Sequence, residues 1–147
     1  MMPLYEQSPG SQELSRTLGS VTELMLQDAQ YRHFPMACLI AWIQPPLLLR
    51  QIKVFYGERG TPSGYITWAY LAADVEERWI NDPGVTLHFS EWNEGEALWI
   101  MDFVAPSGLG LAMYRFAREE LFPDFDVAKS LRRSKDGRVR RVSTWRR

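Results

Sequence analysis

Leu14, Leu18, Val21, Leu24, Met25 and Ala29 recur at three- and four-residue intervals, the spacing of one face of a helix. With Ser11 or Ser15 as a cap, the pattern predicts an amphipathic helix that starts near Gln12 or Glu13 and fades by Tyr31. Residues 1–12, which include Pro3, Pro9 and Gly10, read as a flexible arm, and residues 13–147 as one domain. Pro35 fixes its own φ and biases Phe34 toward extended backbone, so the helix ends before Arg32-His33-Phe34. Pro35 to Ile43 is apolar and strand-like, and Pro45-Pro46 closes it. Alternation over Leu49 to Tyr56 and Gly64 to Tyr70, around the polar turn Gly57 to Pro62, predicts an antiparallel hairpin.

Farther on, Val75 and Trp79 lie four apart in a helix over Asp74 to Asn81, which Asp82-Pro83-Gly84 terminates. Leu98 to Val104 is a run of strand formers interrupted by one acid, Asp102. Leu111, Tyr114, Ala117 and Leu121 mark a further helix ending near Pro123. Val127, Val139 and Val142, around Asp136-Gly137, suggest a terminal hairpin. The order of elements implies an α/β domain with a mixed sheet and helices packed on its faces.

The length of 147 residues, 46% of them apolar, fits one domain. No window has the run of about 18 apolar residues that a membrane span needs. The N-terminus shows neither a basic segment nor an apolar segment of the secretory type, so a cytoplasmic location is the default expectation. The single Cys38 excludes an internal disulfide, and with no His-Glu-x-x-His or paired-cysteine spacing no metal site is expected. Charge is uneven. From Lys129 onward nine basic residues face one acid, Asp136, whereas the preceding chain holds eight basic and seventeen acidic groups. A basic end on an acidic body reads either as a solvated tail or as a dock for an acidic partner, and the near-neutral total argues against nucleic acid.

Asp102 is the residue that stands out. A carboxylate in an apolar strand requires donors or a cation. Strict alternation puts it on the same face as Ile100 and Val104. Either it orients a histidine, for which a rigid strand is suited, or it is a structural acid held by backbone amides. Of the two histidines, His33 lies at a helix boundary beside Arg32, and His88 lies in a short stretch after a turn. His33 is the candidate proton acceptor, against the reading of an exposed or hydrogen-bonded boundary residue.

Three segments carry a family likeness. Pro62-Ser63-Gly64-Tyr65-Ile66-Thr67-Trp68-Ala69-Tyr70-Leu71, the turn Trp92-Asn93-Glu94-Gly95 and Trp99-Ile100-Met101-Asp102-Phe103-Val104-Ala105-Pro106-Ser107-Gly108 resemble the RTX toxin-activating lysine acyltransferases, the hemolysin-activating type. The likeness continues through Met113-Tyr114-Arg115 and Leu121-Phe122-Pro123, and covers roughly Gln27 to Trp145.

The resemblance implies a fold similar to the GNAT acetyltransferases and transfer of a fatty acyl group to the ε-amine of internal lysines of an RTX-type protoxin. The donor it implies is acyl carrier protein, with no further cofactor, and family members work in the cytoplasm as dimers. It also implies a catalytic histidine and aspartate. The aspartate falls on Asp102. The family's histidine opens a His-Arg-x-aromatic-Pro pattern, but here Tyr31 stands at that place and His33 follows two residues later. Either His33 reaches the same cleft, making the pair His33 and Asp102, or the chain does without that base. Two rivals stand beside this reading: a GNAT-like enzyme using acyl-coenzyme A, whose usual Gly-rich pyrophosphate loop is not evident, and an inactive relative that binds acyl carrier protein.

Overall fold

The computed structural model describes residues 4, 6–82, 84–133 and 140–146, without the side chains of Arg133 and Arg140. Helix α1 (Pro9–Gln27) starts earlier than the capping signals suggested, because Ser8 caps it by accepting from the Ser11 N–H at 3.2 Å. Pro9 fits the first turn, where its missing N–H would have no partner anyway. At the other end, Asp28 Oδ1 accepts from the N–H groups of Gln30 and Tyr31 at 2.8 and 3.0 Å. That side chain therefore fixes a single 3₁₀ turn, Tyr31–His33.

The segment expected to be a strand from Pro35 to Ile43 is instead a pair of turns and one π-helical turn, Leu39–Ile43. It runs directly into helix α2 (Gln44–Leu48), whose first turn contains Pro45. The prolines open a helix rather than close a strand, since a first turn has no need of their N–H groups. Helix α2 ends in a Schellman arrangement: the Gln51 N–H bonds Pro46 O at 2.8 Å, and Arg50 takes the left-handed position at φ 57°.

Strands β1 (Ile52–Tyr56) and β2 (Pro62–Leu71) form the expected hairpin, and helix α3 (Ala73–Asn81) follows close to prediction. Strand β3 (Ala97–Val104) pairs antiparallel with β2. Helix α4 (Gly110–Phe116) continues as a π-helical stretch, Ala117–Leu121. Strands β4 (Val127–Arg133) and β5 (Arg140–Arg146) pair antiparallel, as the terminal hairpin required; its proposed turn and Val139 lie outside the described residues. The sheet order is β1-β2-β3-β4-β5, and β3 and β4 are its parallel neighbours. This is the expected single-domain α/β architecture, consistent with a GNAT-like fold.

Three apolar clusters hold the layers together. On one face of the sheet, Val21, Leu24 and Met25 of α1 meet Val54, Tyr65 and Val104, while Val75 and Trp79 of α3 meet Leu71, Trp92 and Trp99. On the other face, Met113 and Ala117 meet Ile66, Trp68, Leu98 and Ile100. Gly64 lets α4 approach, because a Cβ there would strike the Met113 side chain and the Val104 carbonyl. Gly95 is equally constrained, lying against the Leu71–Ala72 peptide.

Candidate active site

The β2–β3 register slips by one residue. Thr67 faces Asp102, Trp68 faces Ile100, and Met101 is the extra residue between them. Such a bulge re-aims the side chains beyond it. Ile100 therefore packs on the α4 face, and Val104 packs in the α1 cluster on the opposite face. Strict alternation predicted one face for Ile100, Asp102 and Val104, and the bulge corrects it: Asp102 leaves the face of Ile100 and points at Thr67 and the α1 side.

There Asp102 is 2% exposed and surrounded by donors. Its Oδ1 accepts from the Tyr31 hydroxyl and, at 2.8 Å, from Trp42 Nε1; its Oδ2 accepts from Thr67 Oγ1 at 2.6 Å. Each donor comes from a different element. Tyr31 sits on the 3₁₀ turn held by Asp28, Thr67 on β2, and Trp42 on the π-helical turn. Trp42 is itself fixed by stacking on Trp79 at 5.5 Å and meeting Trp92 edge-on at 5.8 Å.

All three donors are neutral. Burial pushes the Asp102 pKa above the usual carboxylate value, against the lowering effect of the hydrogen bonds from Thr67, Tyr31 and Trp42. Burial, and next the Asp102 charge, raises Tyr31 well above an ordinary phenol. Tyr65 is raised for the same two reasons, and its buried hydroxyl has no hydrogen-bond partner among the described residues. The phenols near Asp102 thus keep their protons near neutral pH. They can position and polarise, and neither is a base there.

His33 is exposed on the same turn as Tyr31. Among the described residues it is Tyr31, and not His33, that bonds Asp102. The two predicted site residues are therefore neighbours through Tyr31 rather than a bonded pair. His88 is exposed, and its N–H bonds Glu91 at 2.9 Å. Trp42 and Thr67 had no signal in the sequence beyond being polar-tipped residues in apolar runs, because their convergence depends on the bulge and on the helical winding of residues 39–43. Cys38 is a half-buried free thiol, and no cluster of three metal-ligating side chains occurs among the described residues. No helix there is long and apolar enough to cross a membrane.

The paired strands β4 and β5 place Arg132 opposite Arg141, both exposed. Strands β3 and β4 pair at Trp99 with Lys129 and Ile100 with Ser130, and beyond these residues each continues unpaired with the other, β3 to Val104 and β4 to Arg133.

The protein-lysine palmitoyltransferase CyaC of Bordetella bronchiseptica is 32% identical over 130 residues, 88% of this chain and 69% of that protein. The protein-lysine myristoyltransferase HlyC of Escherichia coli is 28% identical over 87% of this chain and 73% of its own length. An uncharacterized protein of Synechocystis is 28% identical over 88% of each chain. The family model for the RTX toxin acyltransferases matches residues 11–146, and the chain belongs to that family.

Proposed function

We propose that this chain is a protein-lysine acyltransferase that moves a fatty acyl group from acyl carrier protein to the ε-amine of internal lysines on an RTX-type protoxin. The observation that carries the reading is Asp102, aimed by a bulge into a cage of three donors, in a chain whose named relatives are protein-lysine acyltransferases. The lysine nitrogen attacks the thioester carbonyl, a C–N bond forms, and the C–S bond breaks. The amine's proton passes through His33 to the departing thiolate. His33 takes this role because it is the imidazole on the turn that Asp102 holds through Tyr31, and Tyr31 retains its own proton. Asp102 is then a positioning residue. The exposed pair Arg132 and Arg141 on the terminal hairpin suits the acidic surface of a carrier protein.

One observation favours a second reading, a relative that binds the acyl carrier without transferring: Asp102 meets a phenol where an imidazole was expected. The two are separated by incubating the protein with acyl-loaded carrier protein or acyl-coenzyme A and following label onto lysines of a protoxin. Transfer from the carrier is expected, with His33→Ala losing about 10²-fold or more and Tyr31→His retaining or raising the rate. Carrier binding without transfer from either donor would establish the binding role instead.

A further inference from the structure

Phe34 to Leu49 is a stretch of sixteen residues without a charge or a histidine. A stretch of that composition is ordinarily buried. Here its first half is not: Met36 is 84% and Ile40 69% exposed, and Phe34, Pro35, Ala37 and Ala41 are also exposed. Isolated exposed apolar residues need no explanation, but this set is interrupted only by the half-buried Cys38 and Leu39 and is wound into turns.

Its position is specific. The inner end of the set is the site itself. The Phe34 ring lies 5.0 Å from that of Tyr31, and Ile40 is in the same π-helical turn as Trp42. Both Tyr31 and Trp42 donate to Asp102. Exposed apolar side chains thus lie beside the Tyr31–His33 turn, where the proposed function puts the donor's thioester.

Two other sites among the described residues fit a long acyl chain less well. An apolar cleft lined by Leu98, Ala117, Phe122, Phe125 and Trp145 has a volume of only about 30 Å³, whereas sites that enclose a ligand run to roughly 300 Å³ or more. A groove of about 510 Å³ between α1 and β1 is large enough, but its lining is mixed, with Glu13, Arg16, Arg50 and Lys53 among Leu14, Leu47, Ile52 and Val54, so a hydrocarbon chain there would lie against charged groups.

We infer that Phe34, Met36 and Ile40 form an exterior bed for the hydrocarbon of a long acyl chain, with its thioester end beside the exposed His33. This deepens the acyltransferase reading and rests on it. A chain laid on such a bed is covered on one side by the protein and on the other by whatever carries or receives it. Each methylene taken from water adds to the affinity, so long chains feel the bed and short ones do not.

The test uses the full chain and a palmitoyl pantetheine thioester bearing a mid-chain diazirine. After irradiation, peptide mapping is expected to place the adduct within residues 34–40. Met36→Gln with Ile40→Gln, both exposed and therefore compatible with folding, is expected to lower adduct yield about 10-fold. The same pair is expected to raise the KM for a palmitoyl donor about 10-fold while leaving transfer of an acetyl group unchanged. An adduct in the Leu98–Trp145 cleft or in the α1–β1 groove overturns the bed. So does a variant whose KM rises equally for both chain lengths, or one that changes only self-association or vesicle binding. An adduct at residues 34–40 without transfer to lysine leaves the bed standing and removes the acyltransferase reading. Transfer with the adduct elsewhere does the reverse.

Discussion

Asp102 and Glu91 are both buried carboxylates, at 2% and 6% exposure, and they are held in opposite ways. Glu91 sits at the rim of the domain. Its Oε1 accepts from the His88 N–H and its Oε2 meets the guanidinium of Arg78, so a turn at Phe89–Trp92 is pinned to α3. The His88 N–H bond first, and then Arg78 against the opposing effect of burial, holds its pKa below the usual value. Asp102 has three neutral hydrogen-bond donors, and burial holds it above. An acid whose role is to tie elements together gains from a cation. An acid left without one retains the capacity to orient and polarise at a cost in stability, which is the use that the proposed function makes of Asp102.

The sharpest break of this comparison is Asp102→Asn. It keeps the shape and removes the charge, so transfer is expected to fall about 10²-fold, measured as initial rate with acyl-loaded carrier protein, while Glu91→Gln leaves the rate within about 2-fold. Next in size is stability. Asp102→Ala strands three buried donors and is expected to lower the unfolding free energy in urea by on the order of 3–5 kcal/mol. Arg78→Met, removing a cation that is 47% exposed, is expected to lower it by only about 1 kcal/mol. Tyr31→Phe deletes one of the three donors and should likewise cost about 1 kcal/mol, far less than removing the acceptor they share.

The smallest effect has the clearest sign. With the Asp102 pKa raised, the unfolded chain releases its proton at a lower pH than the folded chain. Stability from this group therefore falls as pH rises from the ordinary carboxylate value toward the folded one. With Glu91 lowered, its contribution is full above the ordinary value and is lost as pH falls through the folded value. Urea unfolding between roughly pH 3 and pH 7 is expected to show the gap between wild type and Asp102→Asn narrowing with pH, and the gap to Glu91→Gln widening. Equal slopes for the two variants would mean that the acids are held alike.

Much of the scaffold was legible. Alternation located the β1–β2 hairpin, a run of strand formers located β3, and three- and four-residue spacing located α1, α3 and α4. Asp102 was legible too, as an acid among strand formers. Its surroundings were not, for two physical reasons. Phe34 to Ile43 is apolar nearly throughout, so it carries no period that separates strand from helix, and its winding decides that Trp42 reaches Asp102. The bulge at Met101 has no glycine or proline to announce it, yet it moves Asp102 to the other face. The position of His33, close in sequence but outside the bonded cage, likewise depends on a 3₁₀ turn set by Asp28.

The packing of Trp42 against Trp79 and Trp92 has an optical consequence. Three indoles within about 6 Å share excitation, and one of them is bonded to a carboxylate in a medium of low dielectric, where a change of one charge is felt strongly. Protonating or replacing Asp102 therefore alters tryptophan emission and the near-ultraviolet dichroism. The centre carries its own spectroscopic reporter, and the charge state of Asp102 is readable without attaching a label.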